Sequence, residues 1–418
     1  MRAVMPVVDR ICPIVTVLSA LASGHAIAQA QCPPHYSVQM MSGPTNCSLG
    51  LTSPIYPNGL NNKGESCGFY ILCALGPYVA YTSIDAQTVT PIQVPPGVTY
   101  SEAWDITDAG VIVGNLDFAY AFLLDDKGFQ MLGIPPGGNL SVANAVNSSN
   151  VVVGHWGNNI TGPGPVAFRW ENGVIEDLGS DLLGVNSIAH DINEMGAITG
   201  WMNQTSYPPD YHAFVWENGR VTDLGLPFPD AFASEGYAIN NTNQVCGVWF
   251  LQSNDPPYYD IRGFHWDGAE FTELGTLEGY PRTSAYDLND EGVIVGVAHG
   301  AQTDSVGIVW HDRIMYDLND LITPVDGLFI HGAAKVNQKG QILCSGSMNV
   351  KLGVAVLLTP VPPVLGDMDC DAIVNVNDLI GVINAWGTCK DGAFCAGDFN
   401  EDRVVSALDI VIVLENWS

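Results

Sequence analysis

Short apolar runs alternate with turn residues on a regular period along this chain, and that pattern decides its architecture before any single residue does. One unit reads INEMGAITG at 192–200, LNDEGVIVG at 288–296 and ITDAGVIVG at 106–114. It recurs as VNSSNVVVG (146–154), INNTNQVCG (239–247), LNNKGESCG (60–68) and VNQKGQILC (336–344), so the seven copies start 40 to 49 residues apart. A second unit follows each after a gap of varying length: YVAY (78–81), AFLL (121–124), AFRW (167–170), AFVW (213–216), GFHW (263–266), GIVW (307–310) and GVAV (353–356). Most of these run through a Gly- or Asp-containing turn into a further segment, as in ENGVIEDLG and ENGRVTDLG. β-branched and aromatic runs bounded by turn residues predict strands, and four strands per repeat predict the blade of a β-propeller.

The turns carry their own chemistry. Asn61, Asn147, Asn193, Asn240, Asn289 and Asn337 open the first turn of six repeats, with Thr107 in the same place in the other. An Asx side chain there bonds to the backbone two residues on, which explains the asparagines without a ligand. The last repeat ends near 359 without a further strand, while residues 36–41 near the N-terminus look like a strand without a partner. Pairing the two completes the last blade and removes an exposed edge. The expected fold is therefore all-β, a seven-bladed β-propeller of four-stranded blades over 31–359. The string HAFVWENGRVTDLG (212–225), with the INxxGxIVG unit, resembles the extracellular HAF repeat family. That resemblance implies an extracellular location and supplies no reaction.

A Pro-rich linker at 360–365 precedes two acidic loops. DMDCDAIVNVND places Asp367, Asp369, Asp371, Asn375 and Asp378 at positions 1, 3, 5, 9 and 12; DFNEDRVVSALD places Asp398, Asn400, Asp402, Ser406 and Asp409 likewise. Oxygen ligands at this spacing surround Ca²⁺, with the position-7 carbonyls of Ile373 and Val404 completing the sets. Each loop leads into an apolar helical pattern ending in Trp386 or Trp417, so 366–418 is expected to be a small α-helical module with two calcium sites. It is similar to a type I dockerin, which implies docking to a cohesin-like or other cell-surface protein. Ala372 and Arg403 replace the turn glycine, and Val376-Asn377 and Ala407-Leu408 replace the small hydroxyl pair by which many dockerins meet cohesin. Calcium binding is accordingly better supported than cohesin binding.

The N-terminus reads as an export signal. Arg2 and Arg10 precede or flank an apolar run from Ile11 to Ala22, and small residues mark cleavage near Ala30, so 1–30 is expected to be removed and the protein secreted. No other stretch is apolar for long enough to span a membrane. The formal charge of −30, from 14 Lys and Arg against 44 Asp and Glu, excludes nucleic acid as a partner. Export makes disulfides plausible, and the local pairs Cys67/Cys73 and Cys389/Cys395 are the expected ones.

No nucleophile elbow, zinc-protease helix, phosphate loop or dinucleotide fingerprint occurs. Asp105, Asp191 and Asp287 share one position of the first strand in alternate repeats. If that strand is innermost they surround the axis, as a cation site or as acid and base on a sugar, although blade-to-blade hydrogen bonding explains them better. Aromatic residues in the gaps after the second strand, Trp156, Trp201, Trp249 and Tyr259, are the expected ligand contacts on the variable-loop face. The function read from the sequence is a secreted, non-catalytic binding protein for an extracellular ligand such as a polysaccharide. The alternatives are a polysaccharide-degrading glycoside hydrolase or lyase, and a structural cell-envelope component.

Overall fold

The computed structural model describes residues 33–44, 53–158, 164–179, 186–203, 211–226, 228, 230–252, 259–300, 304–349, 351–362, 364–368, 373–389, 397–400 and 402–418. The chain divides into a unit of Tyr36–Pro360 and a second that takes in Val361–Ser418.

Among the described residues of the first unit, 28 strands form seven four-stranded sheets, as the repeat count requires. The innermost strands are Ile55–Leu60, Ser101–Ile106, Leu140–Val146, Asn186–Ile192, Ala231–Ile239, Arg282–Leu288 and Leu328–Val336, one per blade in chain order. Each touches the innermost strand of the next blade, and the seventh touches the first, so the ring is closed. The closure uses the N-terminal strand. His35–Met40 lies outside Lys351–Val361 in the seventh sheet. There Met41 N donates to Ala355 O at 2.9 Å.

The repeated residues each answer a packing demand. Every innermost strand has a β-bulge two residues before its end, at Asn58, Trp104, Asn144, His190, Tyr237, Tyr286 and Ala334. Beside the bulge a backbone carbonyl presses on the second strand: a Cβ at Gly154 or Gly200 would lie 1.9 Å from Val142 O or Ile188 O. That contact fixes the glycine that closes the INxxGxIVG unit. In the AFxW unit, the amides of Ala80, Ala121, Ala167 and Ala213 donate to the hydroxyls of Ser101, Ser141, Ser187 and Ser234 in the following blade, at 2.9 to 3.1 Å. A larger side chain would separate those strands. The phenylalanines that follow, Phe122, Phe168 and Phe214, are fully buried.

The turn asparagines do two jobs. Asn193 Oδ1 accepts from the Met195 and Ala197 amides within its own turn. Its Nδ2 donates to Asn240 O of the next blade at 2.8 Å. The same donation runs from Asn147 to Asn193, Asn240 to Asn289, Asn289 to Asn337, Asn337 to Asn61 and Asn61 to Thr107. Thr107 has no amide to pass on, so the relay stops between the second and third blades. A Thr107→Asn variant should complete it and raise stability by about 0.5–1.5 kcal/mol, the usual worth of one net hydrogen bond. Urea unfolding of the two proteins checks this, with no gain as the contrary result.

The cysteine expectation needs correction. Cys67 is a free, fully buried thiol, because it points into the packing beside Gly59 and Phe122 rather than toward Cys73. Cys73 is disulfide-bonded to a different cysteine, and Cys389 is also disulfide-bonded. Cys395 lies outside the described residues.

In the second unit, helix α1 (Val376–Asn384) and helix α2 (Ala407–Glu415) start at capping boxes. In these, Asn375 with Asp378 and Ser406 with Asp409 satisfy the free amides of the first turn. A two-stranded ladder pairs Gly387–Thr388 with Val404–Val405. Val374, Val382, Phe399, Val405 and Val413 form the buried core.

Candidate functional site

Two of the expected ligand contacts belong to the core. Trp156 and Trp249 are 7% and 0% exposed, on strands Val152–Gly157 and Val245–Gln252. The second strand continues past its glycine, so these side chains turn inward; Trp249 stacks on Phe264 with centroids 5.7 Å apart. Trp201 is half-buried, its ring 5.3 Å from that of Tyr211. Tyr259 begins the strand Tyr259–Trp266, and its side chain lies outside the described residues.

Asp105, Asp191 and Asp287 do lie on innermost strands. Each Oδ2 accepts the amide of the residue ending the next blade's innermost strand: Val146 at 2.9 Å, Ile239 at 2.8 Å and Val336 at 2.7 Å. The trio therefore staples adjacent blades together at three alternate seams. Lys335 of the seventh blade supplies the countercharge, its Nζ 3.5 Å from Asp287 Oδ1. Burial raises the pKa of all three carboxyls, that of Asp191 to about 7, while Lys335 pulls them back. Burial alone would lower the Lys335 pKa, but the carboxylates of Asp287, Asp191 and Asp105 outweigh it and keep the ammonium charged.

The variable-loop face carries an aromatic platform that the sequence did not single out. Tyr56 stacks on Phe69 at 4.9 Å, and Phe69 stacks on Tyr78 at 5.0 Å. Tyr78 meets the edges of Tyr100 and Phe118, which lie 5.0 Å from each other, and Trp104 lies 6.5 Å from Phe69. Tyr56, Tyr100 and Phe118 are 40%, 36% and 48% exposed. A short turn holds the outer pair. Asp117 Oδ1 accepts the Thr99 and Tyr100 amides at 2.9 Å, and the Asp117 amide returns to Tyr100 O at 2.8 Å. Phe118 has φ 58°, a left-handed conformation that costs a bulky residue about 1–2 kcal/mol. In the sequence this turn falls in the shortest interval between the first and second repeat units, residues 115–120, where a search for long loops does not look.

Bulge residues line the mouth of the axis. The ring of His190 lies 5.4 Å from Tyr237 at 72°, and Tyr237 lies 5.8 Å from Tyr286. One position earlier along the sheet face, Glu235 accepts hydrogen bonds from the phenols of Tyr237 and Tyr211, and burial raises its pKa. In the second blade, Asn115 bridges Glu102 and the Trp104 indole. Burial likewise raises the Glu102 carboxyl. Among the described residues His190 Nε2 is buried without a partner, and burial holds its pKa down at about 3.

In the C-terminal unit the second loop wraps its first and last carboxylates. Asp398 accepts the Asp402 and Arg403 amides, and Asp409 accepts those of Phe399, Asn400 and Ser406. Asn400 Nδ2 donates to Asp402 Oδ2 at 3.0 Å, which brings the position-3 and position-5 side chains together. Asp398 and Asp409 are buried with no ion-pair partner among the described residues, and among those residues no three His, Cys, Asp or Glu side chains are grouped to hold a metal ion. In the first loop Asp378 is buried and accepts the Met368 amide. Asp367 is buried too, and the Asn375 side chain caps α1. Asp369 and Asp371 lie outside the described residues. Ile373 and Val404, the position-7 residues, are exposed.

No protein-family model and no curated protein matches this sequence. Among solved structures it is similar to the oligogalacturonate lyase of Vibrio parahaemolyticus, at 10% identity over 80% of this chain and 99% of that one, with a TM-score of 0.52. An oligogalacturonate lyase in complex with manganese is similar at 13% identity over 80% and 98%, TM-score 0.50. The propeller domain of the Trilobed protease from Pyrococcus furiosus matches at 13% identity over 66% and 86%, TM-score 0.45. At these identities the likeness is one of fold, and the fold is the seven-bladed β-propeller of four-stranded blades.

Proposed function

We propose that this is an exported, non-catalytic binding protein whose propeller holds a glycan on its variable-loop face. The C-terminal module, in this reading, binds two calcium ions and docks the protein to an extracellular partner. The observation that carries the reading is the six-ring platform of Tyr56, Phe69, Tyr78, Tyr100, Trp104 and Phe118, whose outer rings are open to solvent. Sugar rings present C–H faces that stack on such surfaces, and a preformed platform loses little entropy on binding. The disulfides at Cys73 and Cys389 support export, since such bonds persist in oxidising compartments. Docking is supported by two matching exposed sets on the module, Ile380 and Ile383 of α1 with Trp386 just after it, and Val411 and Leu414 of α2 with Trp417 just after it. The enzymatic alternative loses its main support, because the Asp trio is engaged in joining blades.

The test is a glycan panel against the full chain in calcium, followed by calorimetry on the best ligand. Tyr100→Ala and Phe118→Ala should each weaken binding about tenfold or more, equivalent to about 1.4 kcal/mol, while the melting temperature stays within a few degrees. Full affinity in both variants would remove the platform from the argument.

A further inference from the structure

We infer that the axial mouth selects for positive charge, so that the preferred glycan carries free amines, as in polymers of glucosamine. This deepens the platform reading and rests on it. The wall formed by His190, Tyr237 and Tyr286 presents aromatic surface, and Trp104 does so from the second blade. These bulge residues are partly open while their neighbours Ala189, Gly236, Ala238, Ala285 and Ala103 are buried, so their exposure is toward the axis.

Aromatic faces and carboxylates together make a site for an ammonium group. Glu235 and Glu102 provide the carboxylates, and neither has an ion-pair partner among the described residues. Glu235 is oriented by the Tyr211 and Tyr237 phenols, Glu102 by the Asn115 amide. Lys335 is outnumbered by the three carboxylates of the Asp trio, and the Arg282 guanidinium donates to Gly300 O. His190 stays neutral, so it adds no positive charge. A uronate chain would bring carboxylates to this mouth in a protein of net charge −30 and be repelled. The preference is thus opposite in sign to the substrate named for the oligogalacturonate lyases that share the fold.

The decisive measurement is calorimetric titration of the full chain with three trimers, of glucosamine, N-acetylglucosamine and galacturonic acid. The glucosamine trimer should bind about tenfold more tightly than its acetylated form, and the galacturonate trimer weakest of all. Glu235→Gln keeps the shape and accepts the same phenols; it should reduce the tenfold preference to about threefold or less. An unchanged preference in that variant, or tightest binding of galacturonate, overturns the inference and leaves the platform reading standing. Tetramethylammonium separates the two further, because it needs no platform. Saturable quenching of tryptophan fluorescence by this cation, lost in Glu235→Gln and kept in Phe118→Ala, supports the axial site even if no trimer binds. No quenching in the native chain counts against it.

Discussion

Replacing Lys335 with Met should destabilise the propeller by about 3–5 kcal/mol at pH 8, the cost of removing one partner from a buried charge cluster. Asp105, Asp191 and Asp287 would remain, each tied to a backbone amide of the next blade and none with another cation near. The penalty should shrink in acid. A carboxyl whose pKa is higher in the folded than in the unfolded chain adds stability that is complete below the unfolded value and lost as pH rises through the folded one. For Asp191 that window runs from 3.8 to about 7. The Lys335→Met protein should therefore be close to native stability near pH 4 and far below it at pH 8. Asp191→Asn keeps an oxygen for the Ile239 amide and should stabilise the native chain at pH 8 but not at pH 4. Urea unfolding at both pH values decides, and a penalty independent of pH would show that the lysine acts by packing alone.

The second large effect is expected at the clasp. Tyr36 is 3% exposed and packs with Leu318, Leu321, Ile322 and Val356, while its amide donates to Leu321 O at 2.8 Å and its carbonyl accepts from Thr323 at 2.9 Å. Tyr36→Ala should cost about 3–5 kcal/mol, as for other large aromatic truncations in cores. The melting temperature should fall by about 6–15 °C. Neighbouring Ser37, whose hydroxyl makes one exposed bond to Thr359 O, should tolerate alanine with a change under about 0.5 kcal/mol. A small shift for Tyr36→Ala would mean that the N-terminal strand covers the seventh blade without holding it.

The architecture was legible in the sequence because repetition multiplies weak signals. One INxxGxIVG string is only a turn between strands, but seven at similar spacing fix blade number, strand order and the role of Asn193 and its equivalents. What could not be read is which way a side chain faces once a strand runs into a gap. Trp156, Trp201 and Trp249 look alike in sequence, yet two are core and one is half-buried, because the second strand outlasts its motif by several residues. The bulges were hidden for a related reason: an extra residue in one strand alters no local composition, although it is what turns Trp104, His190, Tyr237 and Tyr286 toward the axis. Asp105, Asp191 and Asp287 were found, with blade-to-blade bonding as the better explanation, but Lys335 was not. Its position is set by the same register in a blade whose sequence had drifted furthest from the repeat. The platform was missed because its parts come from two repeats and from a turn of only three residues, 117–119.

The asparagine relay also bears on how such a ring can change over generations. Every side-chain amide donates from one blade to the carbonyl of its successor, always in the same rotational sense. A parallel set does likewise, with the Glu194 amide donating to Asn241, Asn241 to Asp290, Asp290 to Gln338 and Gln338 to Asn62. Each blade but the second, where Thr107 interrupts the relay, therefore brings a donor for the blade ahead and an acceptor for the blade behind. A tandem duplication that inserts one whole repeat delivers both halves of the new joint at once, and a clean deletion removes both. Gain or loss of a blade leaves no orphaned amide, so ring size in a lineage built on this unit is limited by the tilt between neighbouring sheets and hardly at all by the chemistry of the seam.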